Sequence, residues 1–354
     1  MTHVPKTFTD SFGRIIRDLR ISLTDRCNFR CLYCLPETEE AANFFRTRRS
    51  ETATPIPYVW KPRVNLLTYE EIERVTRIAV AHGVEKIRLT GGEPLLRRDV
   101  PALVARLAAI DGLKDLALTT NGFHFVEQAE ALRKAGLRRV TISLDSLERD
   151  NFTKLTGRDA LDTVLKAIRL ARDLGFHPLR VNAVIIRHLN DHEIESLAEF
   201  ARAENIALRY IEFMPLDSRR AWQMEHVVPA REILARLQAR HALEPVVADS
   251  KSATATRWRF ADGRGEVGFI APVSEPFCGH CNRLRLTADG KIRTCLFSLH
   301  EHDLKAQLRD GANAADDETV AAWLRGVILH KEARHHIGEE GFQQPDRPMS
   351  AIGG

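Results

Sequence analysis

Short runs of apolar and β-branched residues recur along the chain, and the segments between them carry apolar residues at helical spacing. The runs predict six strands, at residues 15–23, 84–90, 115–120, 138–144, 179–186 and 206–213. The intervening segments predict five helices, at residues 69–82, 99–109, 125–135, 159–174 and 191–204. Strands that alternate with helices form a parallel sheet with right-handed crossovers, so the pattern indicates an α/β fold.

Local signals support the positions of these helices. Thr68 with Glu71, and Asn190 with Glu193, have the residue types and spacing of a capping box at the start of a helix. Glycines lie where three of the helices are expected to end, at Gly83, Gly136 and Gly175.

Six βα units are too few for a closed eight-stranded barrel and favour a partial (βα)6 TIM-like barrel. Catalytic groups of such barrels gather at the carboxyl ends of the strands. The chemically distinctive residues follow predicted strands in this way, at Cys27 to Cys34, Gly91 to Pro94, Thr119 to Gly122, Ser143 with Asp145, and Met214. The sequence therefore predicts a functional site at the barrel mouth.

The α/β alternation stops after residue 217. Beyond it the pattern predicts one helix and two hairpins with Asp-Gly turns, at 230–241, 254–270 and 283–297. We expect two regions, 1–217 as the barrel and 218–354 as a smaller C-terminal layer that closes the barrel mouth. Residues 38–63 are polar and contain proline, which predicts a long surface loop.

The composition is that of a globular protein, with 44% hydrophobic and 28% charged residues. The net charge of +4 is too small and too dispersed to indicate nucleic-acid binding, and no segment approaches the roughly 20 apolar residues of a membrane span. The N-terminal residues lack the apolar stretch of a secretion signal. We therefore expect a cytoplasmic protein that binds neither nucleic acid nor membrane, as a monomer or a homodimer.

All six cysteines fall into two groups of three, Cys27, Cys31 and Cys34 in the first and Cys278, Cys281 and Cys295 in the second. Clustered cysteines in a large intracellular chain bind metal more often than they form disulfides. Three thiolates spaced Cx3Cx2C can ligate three irons of a four-iron cubane, which leaves one iron open for chemistry. Structural zinc is the weaker alternative, because it normally takes four cysteine or histidine ligands.

The second group also has no fourth cysteine. His280 is an alternative fourth ligand, although its position beside Cys281 makes that geometry awkward. A hairpin returns Cys295 to the CxxC loop, but a strict two-residue turn sets Cys295 opposite Leu284. The side that Cys295 faces therefore depends on the strand register.

Arg283 and Arg285 alternate along one predicted strand and should project from the same face. Two guanidiniums beside an open iron would suit a nucleotide that carries phosphates. The alternative is a pair of solvated surface arginines, and the spacing alone does not decide between the two.

The block Cys27-Asn-Phe-Arg-Cys31-Leu-Tyr-Cys34 resembles the cluster motif of the radical S-adenosylmethionine superfamily. The resemblance implies that S-adenosylmethionine binds the open iron of a first 4Fe-4S cluster and is cleaved reductively to a 5′-deoxyadenosyl radical, with these three cysteines as catalytic ligands. The residues that match cofactor contacts are Tyr33, Gly92 and Glu93 of the Gly91-Gly92-Glu93-Pro94 turn, Ser143 and Met214. Simple packing is the alternative role for Tyr33 and Met214.

A closer resemblance is to the GTP 3′,8-cyclases, radical enzymes that begin molybdenum cofactor biosynthesis. It spans nearly the full length and rests on the blocks RDLRISLTDRCNFRCLYC, GGEP, TTNG, TISLDSL and FCGHCNRLRLTADGKIRTCL. It implies a second 4Fe-4S cluster on Cys278, Cys281 and Cys295 that binds GTP through the guanine base. The radical would abstract the ribose 3′ hydrogen, and bonding of that carbon to C8 of guanine would give 3′,8-cyclo-7,8-dihydroguanosine 5′-triphosphate.

The same resemblance implies contacts to GTP at Arg20, Arg88, Thr119, Arg180, Arg283, Leu284 and Arg285, the one at Leu284 through backbone or packing. Arg180 stands where the family has lysine, which keeps the charge but replaces a compact ammonium with a planar guanidinium. Gly353 and Gly354 match the family's double-glycine tail. Composition alone predicts that this tail is flexible, whereas the resemblance implies that it enters the active site and assists the reaction.

The implied partners are a reducing electron donor of the flavodoxin or ferredoxin type and, downstream in the pathway, cyclic pyranopterin monophosphate synthase. The main alternative is a radical S-adenosylmethionine enzyme that modifies another substrate such as a peptide, for which more cysteines or a docking module would be expected. A two-cluster electron carrier would not require the turn at Gly91 to Pro94. A structural zinc protein would differ in colour and iron content.

Overall fold

The computed structural model describes residues 7–35, 59–217, 222–309 and 315–353. Within these ranges the backbone forms a twelve-stranded sheet. Its strands are β1 Asp18–Ser22, β2 Lys86–Thr90, β3 Asp115–Thr120, β4 Arg139–Ser143, β5 Arg180–Ile185, β6 Ala207–Glu212, β7 Leu243–Val246, β8 Thr256–Phe260, β9 Glu266–Ile270, β10 Arg283–Leu286, β11 Lys291–Arg293 and β12 His302–Asp303.

Eight neighbouring strands are parallel, in the order β10-β1-β2-β3-β4-β5-β6-β9. β1 to β6 are the six strands predicted from the sequence, and the prediction of a partial TIM-like barrel is confirmed. β9 and β10 come from the C-terminal region and add one parallel strand at each side, beside β6 and β1. Antiparallel strands then continue both edges, β8 and β7 on one and β11 and β12 on the other.

The helices are α1 Tyr69–Ala81, α2 Val100–Ala108, α3 Phe125–Lys134, α4 Arg149–Thr156, α5 Leu161–Asp173, α6 Ile194–Glu204, α7 Ala230–Gln238, α8 Leu304–Arg309, α9 Asp317–Ile328 and α10 Met349–Ile352. Their apolar faces belong to the same core as the strands. In α5, for example, Val164, Ala167, Ile168 and Ala171 recur at helical spacing and are fully buried. The predicted helices are present, and α4, α8, α9 and α10 are helices that the sequence pattern did not indicate.

The strands alternate between this core and the inside of the barrel. Leu19 and Ile21 of β1 are buried in the core, while Arg20 between them lines the interior cavity. The same alternation places Arg88 of β2 inside the barrel. Each strand therefore supplies both packing and polar groups, as expected of a barrel wall covered by helices.

The two predicted capping boxes have different outcomes. At the start of α1 the Thr68 side chain accepts from Glu71 N at 3.2 Å, and the Glu71 carboxylate accepts from Thr68 N at 2.7 Å, which confirms the first. The prediction for Asn190 is wrong. Its Oδ1 accepts from Ile186 N at 2.8 Å and its amide nitrogen donates to Asp145 O and Val184 O, so the side chain closes a loop between strands and is not available to cap a helix.

The Glu193 side chain stabilises the segment that follows β4. Its carboxylate is 1% exposed and accepts hydrogen bonds from the loop between β4 and α4 and from the first turn of α4. The donors are Ser146 Oγ at 2.6 Å, Leu147 N at 2.6 Å, Glu148 N at 3.2 Å and Asn151 Nδ2 at 2.7 Å. One buried carboxylate thus accepts from four donors that would otherwise need water as their hydrogen-bond partner.

The C-terminal region contains the elements that the sequence predicted for it. Both predicted hairpins are present as β8–β9 and β10–β11, and the predicted helix is α7. Because β9 and β10 pair with barrel strands, this region also forms part of the barrel wall. Residues 36–58, and so most of the predicted 38–63 loop, lie outside the described residues, and the division at 217/218 stays a prediction.

Among the helices of the described ranges, none combines the length and the apolar composition that crossing a bilayer requires.

We predict that Glu193→Gln lowers the free energy of unfolding by about 2–4 kcal/mol, because a glutamine amide presents a donor to groups that are themselves donors. Urea denaturation of the reduced apo chain measures the change. Glu127→Gln on α3 is the control, since the Glu127 side chain is 78% exposed. Equal stability of the two variants would contradict the prediction.

Candidate active site

A cavity of about 1510 Å³, counted to its open end, lies inside the parallel strands. It is lined by residues of both halves of the chain. Of the residues predicted from the sequence, it brings together Arg20, Tyr33, Arg88, Thr119, Ser143, Met214, Cys278, Cys281, Arg283, Arg285 and Cys295. Among the other predicted residues that the structure describes, those that do not line this cavity are Cys27, Cys31, Cys34, Gly92, Glu93, Arg180, Leu284 and Gly353.

The first cysteine loop follows β1 and is held by the end of α4. Arg30 N donates to Thr156 O at 2.7 Å, and Leu32 N donates to Leu155 O at 3.0 Å. Cys27 Sγ receives two N–H groups, from Phe29 N at 3.4 Å and from Asn121 Nδ2 at 3.8 Å. Such N–H donors suit a thiolate that ligates iron.

Burial shapes the acid–base state of these thiols. It raises the pKa of Cys27 to about 11 and that of Cys34 to about 12. Without metal, the first group would therefore be protonated at neutral pH. Iron supplies the positive charge that buried thiolates require, so the donor set fits a cluster better than it fits three free cysteines.

The Gly91-Gly92 turn after β2 packs against the backbone that leads into the cysteine loop. Gly92 N donates to Thr24 O at 2.7 Å and Glu93 N donates to Arg26 O at 2.8 Å. Gly91 has φ +146°, and a Cβ on Gly92 would lie 2.2 Å from Arg26 O. The turn requires glycine because the backbone of the cysteine loop occupies the space of a side chain.

Glu93 continues this support. Its carboxylate is 1% exposed and accepts from Leu95 N at 3.0 Å, Thr120 Oγ1 at 2.8 Å and Asn121 N at 2.7 Å. Burial raises the pKa of Glu93 to about 7. These contacts tie the end of β3 to the turn after β2 and place Asn121 beside Cys27.

Tyr33 is fixed at the edge of the cavity by a buried carboxylate. Its hydroxyl donates to Asp145 Oδ2 at 2.8 Å, and Asp145 Oδ1 accepts from Val184 N at 2.8 Å. Burial raises the pKa of Asp145 to about 6 in spite of these donors. Ser143, at the end of β4, and Met214, after β6, line the same cavity.

The second cysteine group reaches the cavity from the other end of the strands. β10 runs parallel to β1 and begins two residues after Cys281, so Cys281 lies at the amino ends, whereas Cys27 follows the carboxyl end of β1. This differs from the expectation that every site residue gathers at the carboxyl ends. The cause is the pairing of β10 with β1, which no local pattern indicates.

The strand register resolves the position of Cys295. Arg285 pairs with Arg293 and Leu286 with Ile292. The ladder continued by two residues sets position 295 level with Arg283, not with Leu284, and Cys295 lines the cavity. His280 is exposed and does not line this cavity.

Cations favour the thiolate form of Cys281 in this second group, whereas burial raises the pKa of Cys295. Although burial opposes it, the Arg283 guanidinium and the Lys331 ammonium lower the pKa of Cys281 to about 6. Cys281 is therefore ready to ligate iron near neutral pH. The donor set and its charge both fit a cluster.

Three guanidiniums form a row across the cavity wall. Arg20 of β1 pairs in register with Arg285 of β10 and with Arg88 of β2. All three lie inside the barrel, and burial lowers the pKa of each, with the neighbouring guanidiniums lowering those of Arg88 and Arg285 further. Like charges on adjacent strands repel each other, so this row favours an anion in the cavity.

Arg88 is positioned by two hydroxyls. Its NH1 donates to Thr119 Oγ1 at 2.9 Å and to Thr141 Oγ1 at 3.1 Å. These neutral acceptors orient the guanidinium without cancelling its charge. The Nε atoms of Arg20 and Arg88 have no hydrogen-bond partner among the described residues.

Sequence reasoning missed several polar residues of the cavity, among them Thr141, Asn182, Arg209 and Lys331. Arg209 lies in the middle of β6 between the buried residues Leu208 and Tyr210, the same signal that marks Arg20. Arg180, predicted as a substrate contact, does not line the cavity, although Asn182 and Val184, which alternate with it along β5, do. No sequence signal relates Lys331 to the site, since it lies after α9.

Leu284 packs in the hydrophobic core, so it offers the cavity no side chain. Of the two predicted contacts of Leu284 with GTP, through backbone or through packing, only the one through its backbone remains possible. The alternation of β10 explains this outcome, because Arg283 and Arg285 on either side line the cavity.

The C-terminal residues pack beside the carboxyl ends of β1 and β2. Gly353 is buried, its carbonyl accepts from Arg285 NH1, and a Cβ on it would lie 2.4 Å from Ser22 Oγ. Arg347 anchors this segment to Asp289 through two contacts of 2.9 Å. Although burial opposes it, Arg347 lowers the pKa of Asp289 to about 2. Gly354 lies outside the described residues.

Two family models match the chain. The radical SAM superfamily matches residues 21–201, and Molybdenum Cofactor Synthesis C matches residues 206–337. Proteins named GTP 3′,8-cyclase are similar over nearly the whole length. The protein of Acidothermus cellulolyticus is 45% identical over 92% of this chain and 88% of its own, and that of Streptomyces coelicolor is 44% identical over 98% and 96%.

The chain belongs to the GTP 3′,8-cyclase family of the radical SAM superfamily. The protein of Moorella thermoacetica, 44% identical over 98% of this chain and 99% of its own, agrees with this. Among solved structures, Streptococcus suis SuiB bound to S-adenosylmethionine has a TM-score of 0.57 at 16% identity, covering 88% of this chain and 67% of that chain. That likeness supports the fold.

We predict that Gly92→Ala lowers the iron bound by the first cysteine group by at least about half, because the new Cβ would displace the backbone of the cysteine loop. Iron and sulfide analysis after anaerobic reconstitution measures the loss. Gly326→Ala is the control, since nothing lies within 4 Å of its added Cβ. Equal iron contents in the two variants would show that the turn does not support the cluster.

Proposed function

We propose that this chain converts GTP to 3′,8-cyclo-7,8-dihydroguanosine 5′-triphosphate in molybdenum cofactor biosynthesis, using S-adenosylmethionine and two 4Fe-4S clusters. The observation that carries the proposal is the row Arg285, Arg20 and Arg88 in a cavity that also holds Cys278, Cys281 and Cys295. A cluster site that only carried electrons would have no use for buried, unneutralised guanidiniums.

The charge balance of the cavity supports a polyanionic substrate. Six cationic side chains line it, at Arg20, Arg88, Arg209, Arg283, Arg285 and Lys331. Of the described residues, only two carboxylates line it with them, and Asp145 and Glu212 are already occupied by other hydrogen-bond donors. A triphosphate would neutralise the remaining charge with charge-assisted hydrogen bonds to the guanidiniums.

The chain's residues divide the work between two sites. Cys27, Cys31 and Cys34 would hold the first cluster, and Cys278, Cys281 and Cys295 the second. When bound, the first cluster supplies the electron that cleaves S-adenosylmethionine, and the second offers an iron to the purine. The cavity would hold the nucleotide.

Cofactor contacts are proposed for Tyr33, Ser143 and Met214 from their place on the cavity wall. For Gly92 and Glu93 the support is indirect, because they hold the cysteine loop. Gly353 and Gly354 are proposed to assist the reaction. The contact of Gly353 O with Arg285, beside the carboxyl ends of β1 and β2, supports this for Gly353.

The wider context of the enzyme is also a proposal. We expect a cytoplasmic monomer or homodimer that takes electrons from a flavodoxin or ferredoxin and whose product is used by cyclic pyranopterin monophosphate synthase. The chain would form a barrel region, 1–217, and a C-terminal region, 218–354.

The decisive experiment is anaerobic reconstitution followed by incubation with GTP, S-adenosylmethionine and dithionite. We expect 5′-deoxyadenosine and the cyclised nucleotide in equal amounts, measured by chromatography and mass spectrometry. Formation of 5′-deoxyadenosine without a cyclised guanosine would reject GTP as substrate and favour another target such as a peptide.

We predict that Arg209→Met raises the KM for GTP on the order of tenfold, the loss of one charge-assisted hydrogen bond. Arg180→Met should change it by less than about threefold, because Arg180 does not line the cavity. Steady-state kinetics compare both with Arg74→Met, whose side chain pairs on the surface with Asp317. A larger effect at Arg180 than at Arg209 would contradict this assignment.

A further inference from the structure

Arg14 connects the N-terminal segment to the second cysteine group. Its NH1 donates to Cys278 O at 2.8 Å and to Ala333 O at 3.0 Å, and its NH2 donates to Glu332 O at 2.6 Å. Its Nε contacts Asp10 Oδ2 at 2.5 Å. Arg14 is 8% exposed and Asp10 is 5% exposed, so this pair is buried.

The segment that Arg14 holds reaches the rest of the site. Lys331 Nζ donates to Arg283 O at 3.0 Å and also to Thr294 O, next to Cys295. Thr294 Oγ1 donates to the Glu332 carboxylate at 2.8 Å. Residues 331–333 therefore contact both the start of β10 and the Cys295 loop.

These contacts hold together two loops that are separated along the chain by β10 and β11. Cys278 and Cys281 lie in the segment before β10, whereas Cys295 follows β11, so the ligands sit on two separate loops. Arg14 fixes the first loop at Cys278 O, and Lys331 and Glu332 fix the second at Thr294. Both loops that carry the three cysteines are therefore held by the same segment, residues 331–333.

We propose that Arg14 is a positioning residue for the second cluster, which it holds in place through Cys278 O and the 331–333 segment. The inference rests on the proposed function only in taking Cys278, Cys281 and Cys295 as cluster ligands. It concerns neither the first cluster nor the identity of the substrate.

Arginine suits this position for a geometric reason. Its guanidinium carries five N–H donors in a rigid plane, and all four contacts of Arg14 radiate from one such plane. An ammonium at position 14 would keep the charge beside Asp10 but could not serve all three carbonyls. Arg14→Lys should therefore weaken the site while preserving the buried ion pair.

The test compares Arg14→Met, Arg14→Lys and the control Arg17→Met. The Arg17 side chain is 40% exposed and pairs on the surface with Glu85, so its loss leaves the site intact. Each reconstituted protein is analysed for iron and sulfide, for the electron paramagnetic resonance of the reduced clusters with and without GTP, and for thermal unfolding of the apo chain. S-adenosylmethionine is added separately to identify the first cluster by its spectral change.

We expect about eight irons per chain in the control and about four in Arg14→Met, with the S-adenosylmethionine response kept and the GTP response lost. Arg14→Lys should fall between them.

About eight irons and a normal GTP response in both Arg14 variants would overturn the proposal. So would a parallel loss of both clusters together with a lower unfolding temperature of the apo chain. If Arg14→Met does not fold, the same criteria applied to Arg14→Lys decide. A failure of GTP to serve as substrate would leave the iron stoichiometry unaffected.

Discussion

Three guanidiniums on adjacent parallel strands are the constraint on which the rest of the site depends. Arg285, Arg20 and Arg88 share one register level inside the barrel, where burial and mutual repulsion disfavour their charge. Asp18, at the start of β1, offsets part of this cost. Its carboxylate raises the pKa of Arg20, although the opposite effect of burial is larger. The remaining charge favours an anionic ligand, which agrees with the triphosphate proposed above.

The row exists only because β10 pairs with β1. That pairing joins two regions separated by some 260 residues, and the same two strands lead to both cysteine groups. Cys27 follows β1 at the carboxyl ends and Cys281 precedes β10 at the amino ends. One pair of strands therefore sets the positions of the two cysteine groups and of Arg20 and Arg285 relative to one another.

The supporting residues around the two clusters are of different kinds. The first loop is held by backbone contacts that require glycine at Gly91 and Gly92, together with the buried carboxylate of Glu93. The second is held by long cationic side chains, Arg14 and Lys331, that donate to carbonyl oxygens. The first arrangement leaves thiols whose pKa is raised by burial, while at the second, cations lower the pKa of Cys281 in spite of its burial.

Local sequence determined the six barrel strands, most of the helices, both hairpins and the cysteine motifs, because periodicity, capping and turn chemistry act over a few residues. The family resemblance indicated Arg20 and Arg88, and their positions between core residues of β1 and β2 agree with side chains on the opposite face of the sheet. Tertiary structure alone decided the pairing of β9 and β10 with the barrel, the facing of Cys295, the cavity position of Lys331 and the use of Asn190 as a loop tie instead of a cap. Each of these depends on contacts between distant segments, and sequence spacing carries no information about which strand edges will meet.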